Sequence, residues 1–182
     1  MDRLRFATVW LGGCSGCHMS FLDLDEFLFD LAAAADVVFS PVGCDVKEYP
    51  EGVDVCLVEG AVCNEENLAM IHRVREHTRV LISFGDCAVT GNVTALRNSL
   101  PHSPLKVLER SYLAGADTHA QIPSAHGIVP PLLEKVLPVH AVVPVEVYLP
   151  GCPPPASRIK EVLVQILQKG TAHLEGWNIR FG

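Results

Sequence analysis

Arg79-Val80-Leu81-Ile82-Ser83-Phe84-Gly85-Asp86-Cys87 is an apolar run that ends in a glycine turn and delivers a thiol. Two other stretches of the chain end the same way. Arg5 to Leu11 runs into Gly12-Gly13-Cys14-Ser15-Gly16-Cys17, and Val142 to Leu149 runs into Pro150-Gly151-Cys152-Pro153-Pro154-Pro155. In an open parallel α/β sheet the loops at the carboxyl ends of the strands share one edge. Three loops far apart in sequence are therefore expected to bring Cys14, Cys17, Cys87 and Cys152 together.

Working outward, strand and helix patterns alternate. Phe21 to Ala35 reads as one helix with Leu24, Leu28 and Leu31 on a face, and Val37 to Val42 as a short strand. Val53 to Glu59 is nearly all apolar, as in a strand covered on both faces. Asn64 is placed to cap a helix with Glu65 and Glu66 in its first turn and Leu68, Ile71 and Val74 at helical spacing. Ile159, Val162, Leu163, Ile166 and Leu167 make an apolar helical stripe that Gly170 is placed to end. Five such units predict a flavodoxin-like, doubly wound parallel sheet built from residues 1–182 as a single domain. Residues 98–141 fit that plan poorly. They contain Pro101, Pro104, Pro123, Pro130, Pro131 and Pro138, with helical pieces expected only at Leu105–Ala114 and Leu132–Leu137. A long irregular insertion in a compact domain is usually functional surface, here expected to face a partner.

Composition narrows the class. The chain has 182 residues, 49% of them hydrophobic and 19% charged, enough to bury a core and too apolar for disorder. No apolar run reaches the ~18 residues of a membrane span, and Met1 to Trp10 carries no export signal, which predicts a cytoplasmic protein. A net charge of -7 and no basic stripe argue against nucleic acid. Seven cysteines, an odd number, favour metal or redox use over a disulfide framework.

Thiolates select zinc, copper(I) or iron–sulfur clusters, so ligand type alone leaves the choice open. Structural zinc commonly clips two C-x-x-C knuckles in a module too small for a core. Here one C-x-x-C is joined by single cysteines about 70 and 135 residues from it, in a chain with a core of its own. Gly12, Gly13, Gly16 and Gly151 permit close approach of the backbone to a cluster. An iron–sulfur cluster is favoured, with zinc or a thioredoxin-like dithiol as alternatives.

The segments Val9–Cys17, Leu57–Ala61, Phe84–Ala88 and Pro150–Pro154 resemble the small subunit of [NiFe]-hydrogenases, a family related to the 20 kDa subunit of complex I. Asp45–Pro50 and Thr90–Asn98 are similar to the short small subunit of the NAD-linked, bidirectional soluble hydrogenase. The resemblance implies that Cys14, Cys17, Cys87 and Cys152 ligate one [4Fe–4S] cluster. It also implies a large-subunit partner that holds a NiFe centre, and diaphorase subunits that carry flavin (FMN), iron–sulfur clusters and NAD. This chain would relay electrons between them and make no bonds itself. The longer small subunits carry further ligands in a C-terminal extension, whereas no cysteine follows Cys152, so one cluster is assigned. The complex I relatives have adjacent cysteines where Cys14 and Cys17 are separated by two residues. A complex I-like quinone oxidoreductase subunit and a zinc-stabilised structural module remain the alternatives. No Ser- or Thr-rich phosphate loop follows the first strand, so flavin is not assigned to this chain.

The remaining candidates have plain readings beside functional ones. Cys56, inside a strand, reads as core; Cys44 and Cys63 follow strands and are small buried side chains before they are ligands. Glu59 is either a proton relay or a hydrogen-bonded structural carboxylate. His18 reads as packing or surface beside the centre, and Trp10 as core. His72 and His77 fall on a solvated helix face, and His119 and His126 in the partner-facing segment.

Overall fold

The computed structural model describes residues 3–115 and 119–181; Ala116 to Thr118 of the proline-rich insertion lie outside the described residues. The elements run β1 (Leu4–Trp10), α1 (Gly16–Leu22), α2 (Phe27–Ala34), β2 (Ala35–Phe39), β3 (Val53–Glu59), β4 (Val62–Asn64), α3 (Glu65–His77), β5 (Thr78–Phe84), α4 (Asp86–Thr90), α5 (Pro104–Glu109), β6 (Leu132–Leu137), β7 (Val147–Leu149) and α6 (Ala156–Lys169). Strands β2-β1-β3-β5-β7, in that order, form one parallel sheet, and β4 pairs with β6 as a separate antiparallel ribbon. This is the doubly wound order expected from the alternating pattern.

Both faces of the sheet are covered. Val55, Leu57, Ile82 and Phe84 pack with Phe21, Leu24, Phe27 and Leu31 and with the α6 stripe of Ile159, Val162, Leu163 and Ile166. Ala7, Val9, Cys56, Val58 and Leu81 pack on the opposite face with Ile71, Val74, Ala88 and Val143. Alternate β3 residues thus enter different cores, which is why the strand is apolar throughout. The Asn64 side chain accepts the Asn67 N–H at 2.8 Å, the cap its type and position call for. Gly170 ends α6 in the left-handed conformation and donates to Ile166 O at 2.8 Å.

Four expectations are corrected. The helix expected over Phe21–Ala35 is two, α1 and α2, separated by a turn in which Asp25 has φ +49°; the turn lets Phe21, Leu24, Phe27 and Leu31 all reach one core. The second strand starts and ends earlier than Val37–Val42. The last strand is shorter than Val142–Leu149, because Pro144 has no N–H to give a ladder and Val139–Ala141 forms a helical turn. Leu132–Leu137 is strand β6 rather than helix. Its pairing with β4 is joined by Asn98, which donates to Val136 O and accepts Val136 N–H, each at 2.8 Å, so tertiary pairing outweighs local helix preference. The helical piece at Leu105–Ala114 is present as α5 continued by a π-turn over Arg110–Ala114. Among the described residues no helix is long and apolar enough to cross a membrane.

Candidate metal centre

The carboxyl ends of β1, β5 and β7 lie along one edge of the sheet, and each is followed by a cysteine loop. The β5 and β7 loops are clasped: Gly85 N–H donates to Leu149 O at 2.8 Å, Asp86 N–H to Gly151 O at 2.9 Å, and Gly151 N–H to the Asp86 carboxylate at 2.6 Å. A Cβ on Gly85 would lie 2.2 Å from Cys17 Sγ, so the thiol of the β1 loop rests directly on the β5 loop. Gly85 also has φ +83°, open to glycine and costly for other residues. Gly151, at φ +139°, has the same double constraint, since a Cβ there would fall 2.5 Å from Pro154 Cα.

Glu59 organises the first loop. This side chain, only 2% exposed at the end of β3, accepts the N–H groups of Cys17 at 3.4 Å and His18 at 2.9 Å, first-turn donors of α1 with no intrahelical partner. It also pairs with His18 Nδ1, and His18 is fully buried with its ring edge-on to Phe84. These contacts give Glu59 the hydrogen bonds of a structural carboxylate and His18 a packed position beside the centre. Ser20 Oγ donates to Pro154 O at 2.6 Å and ties α1 to the Cys152 loop.

The four thiols interact. Burial raises the Cys17 pKa, and the charges of Glu59, Cys87, Cys14 and Cys152 raise it further. Cys87 is likewise raised by burial, offset by a hydrogen bond to Thr94, and then raised by Cys152 and Cys14. Cys17 and Cys87 are buried, whereas Cys14 and Cys152 face outward. Cys14 Sγ accepts Gly16 N–H at 3.4 Å, and Cys152 Sγ accepts Asn92 Nδ2–H at 3.4 Å. Among the described residues no three His, Cys, Asp or Glu side chains stand close enough together to hold one metal ion in common.

The other candidates separate from this group. Cys44 sits in the turn after β2, its sulfur accepting Ser40 N–H at 3.1 Å. Cys56 is fully buried in β3 with its pKa pushed up to about 12. Cys63 is buried against Gly12, near enough to Cys87 for their charges to interact. Trp10 is 47% exposed, contrary to its reading as core; it is the last residue of β1, and its indole donates to Gly13 O at 3.2 Å at the sheet edge. His72, His119 and His126 are exposed. Asn92 and Thr94 were not singled out by sequence, although the pair Gly91-Asn92 after a short helix signals a turn that aims side chains.

Fold and centre together define a doubly wound α/β protein with four thiols gathered at the carboxyl edge of its parallel sheet. The chain belongs to the NADH ubiquinone oxidoreductase 20 Kd subunit family, whose profile matches residues 14–166. It is 40% identical over 167 residues to a subunit of the vhu F420-non-reducing hydrogenase of Methanococcus voltae, covering 92% of this chain and 57% of that one. It is 38% identical over 163 residues to the delta subunit of the NAD-reducing hydrogenase HoxS of Cupriavidus necator, covering 88% and 77%. A chain in the crystal structure of an NAD+-reducing [NiFe]-hydrogenase in the H2-reduced state superposes with a TM-score of 0.90 at 37% identity, covering both chains completely. The chain thus spans little more than half the length of the archaeal relative.

Proposed function

We propose that this chain is the electron-transferring small subunit of a cytoplasmic, NAD-linked [NiFe]-hydrogenase, and that Cys14, Cys17, Cys87 and Cys152 hold one [4Fe–4S] cluster. The reading is carried by the meeting of four thiols from three strand ends, where the buried Cys17 and Cys87 each feel the charge of both Cys14 and Cys152. Structural zinc commonly clips two C-x-x-C knuckles in a module with little core of its own, whereas these four cysteines come from three strand ends of a chain with two packed cores, which suits a cluster. When bound, such a cluster supplies reversible one-electron transfer. The chain's own residues shape the pocket: Gly85 leaves room for Cys17, Glu59 fixes the Cys17 backbone, and the Asp86–Gly151 clasp sets Cys87 beside Cys152.

The centre is half open, with Cys17 and Cys87 inward and Cys14 and Cys152 toward solvent. A large subunit holding the NiFe centre would close that side, and diaphorase subunits with FMN and NAD would take the electrons onward. We read residues 1–182 as one folding unit and 98–141 as surface for these partners. The NAD-linked assignment is supported by complete mutual coverage of the hydrogenase chain at a TM-score of 0.90. Family membership also favours one second reading, a quinone oxidoreductase subunit like that of complex I.

Anaerobic purification with iron, sulfide and nickel analysis, and EPR after reduction, tests the proposal. One four-iron signal per chain and a nickel-containing partner are expected; zinc without acid-labile sulfide sinks it, and a cluster with a nickel-free partner favours the quinone-reductase reading. Cys152→Ser should lose the cluster or lower its nuclearity, while Cys56→Ser keeps full iron. Reconstituted without partners, the chain should show no H2-dependent dye reduction.

A further inference from the structure

We infer that Asn92 and Thr94 set the reduction potential of the four-thiol centre by donating hydrogen bonds to its sulfurs, an inference that rests on the cluster reading above. Both lie in the 3₁₀ segment Asn92–Ser99 that follows α4. Asn92 Nδ2 donates to Cys152 Sγ at 3.4 Å. The Thr94 hydroxyl gives its single proton to Gly12 O at 3.2 Å with Cys87 also within its reach, so a negatively charged Cys87 sulfur, the stronger acceptor, competes with the carbonyl for it. One short segment therefore touches all three ligand loops.

The segment is held in place rather than draped. Asn92 takes φ +36°, a left-handed conformation that asparagine tolerates better than most residues, which turns its amide toward Cys152. Behind it, Arg97 donates to Cys63 O at 3.1 Å, Leu133 O at 2.8 Å and Glu134 O at 3.2 Å, and Asn98 pairs with Val136. These bonds tie the donors to the β4–β6 ribbon, so they keep their aim when the charge on the sulfurs changes. A neutral donor at a thiolate stabilises negative charge on sulfur. The reduced centre carries one more negative charge than the oxidised, so each donor favours reduction and raises the potential.

The test is an EPR-monitored redox titration of the full chain with whatever subunits co-purify, comparing wild type with Asn92→Gly, Thr94→Val and Thr94→Ser. Glycine relieves the left-handed backbone while removing the amide; serine keeps the hydroxyl. With iron and sulfide retained, Asn92→Gly and Thr94→Val should each lower the reduced-to-oxidised ratio at the wild-type midpoint several-fold, where tenfold is 59 mV for a one-electron couple. Thr94→Ser should restore the wild-type value. Unchanged or raised potentials with full iron overturn the inference and leave the cluster reading intact; absence of iron and sulfide from wild type overturns both. If Asn92→Gly loses its iron, wild type labelled with 15N-asparagine decides: a nitrogen hyperfine coupling at the reduced centre supports the bond, and its absence refutes it.

Discussion

At the scale of single residues, steric demand and burial are the clearest determinants. An alanine methyl at position 85 would sit 2.2 Å from Cys17 Sγ on a backbone with φ +83°. Gly85→Ala should therefore cost about 1–3 kcal/mol and displace the Cys17 thiol; thermal melting and iron content of the purified protein measure the two effects, and normal iron loading would contradict the packing described. Cys56 offers a pH test away from the centre. Burial lifts its thiol from 9.0 to about 12. Between those values the unfolded chain has released this proton while the folded chain keeps it, so stability falls as pH rises. Urea midpoints of the metal-free chain should drop from pH 8 to pH 10.5, and Cys56→Ala should show a smaller drop.

At the scale of elements, caps and pairings act locally. Asn64→Ala removes the acceptor for Asn67 N–H at the start of α3 and should cost about 1 kcal/mol. Because α3 packs under the sheet on the face carrying Ile71 and Val74, iron content should not change; chemical denaturation beside iron analysis checks both. The α1–α2 break shows the opposite case. Sequence periodicity from Phe21 onward suits one helix, but Cys17 and His18 must present their N–H groups to Glu59 while Phe27 and Leu31 reach the core, and two short helices joined by a turn meet both demands.

At the scale of the whole molecule, the insertion carries a run of exposed apolar side chains. Leu105, Tyr112, Leu113, Ile128 and Val129 are exposed, Ile128 to 81%, and Leu108, Ile122 and Pro131 line a groove there. Such surface is costly to leave in water as one patch. Amide exchange in residues 98–141 should slow on assembly with partner subunits; equal exchange in the free and assembled chain would mark the insertion as a packed loop with no partner on it.

The strand alternation, the caps at Asn64 and Gly170 and the cysteines at three strand ends were all legible in the sequence, because period, capping chemistry and glycine turns are local properties read over a few residues. The conformation of Leu132–Leu137 was not: its apolar spacing is compatible with a helix, and only β4, Arg97 and Asn98, far off in sequence, make it a strand. Trp10 likewise looks like core by type, yet its position at the sheet edge leaves it exposed. The roles of Glu59, Gly85 and Asn92 also depended on tertiary structure, since each acts on a cysteine at least 42 residues away in the chain. Local chemistry picked out the four sulfurs as candidates; what surrounds and orients them is set by long-range contacts, which the spacing of residues does not record.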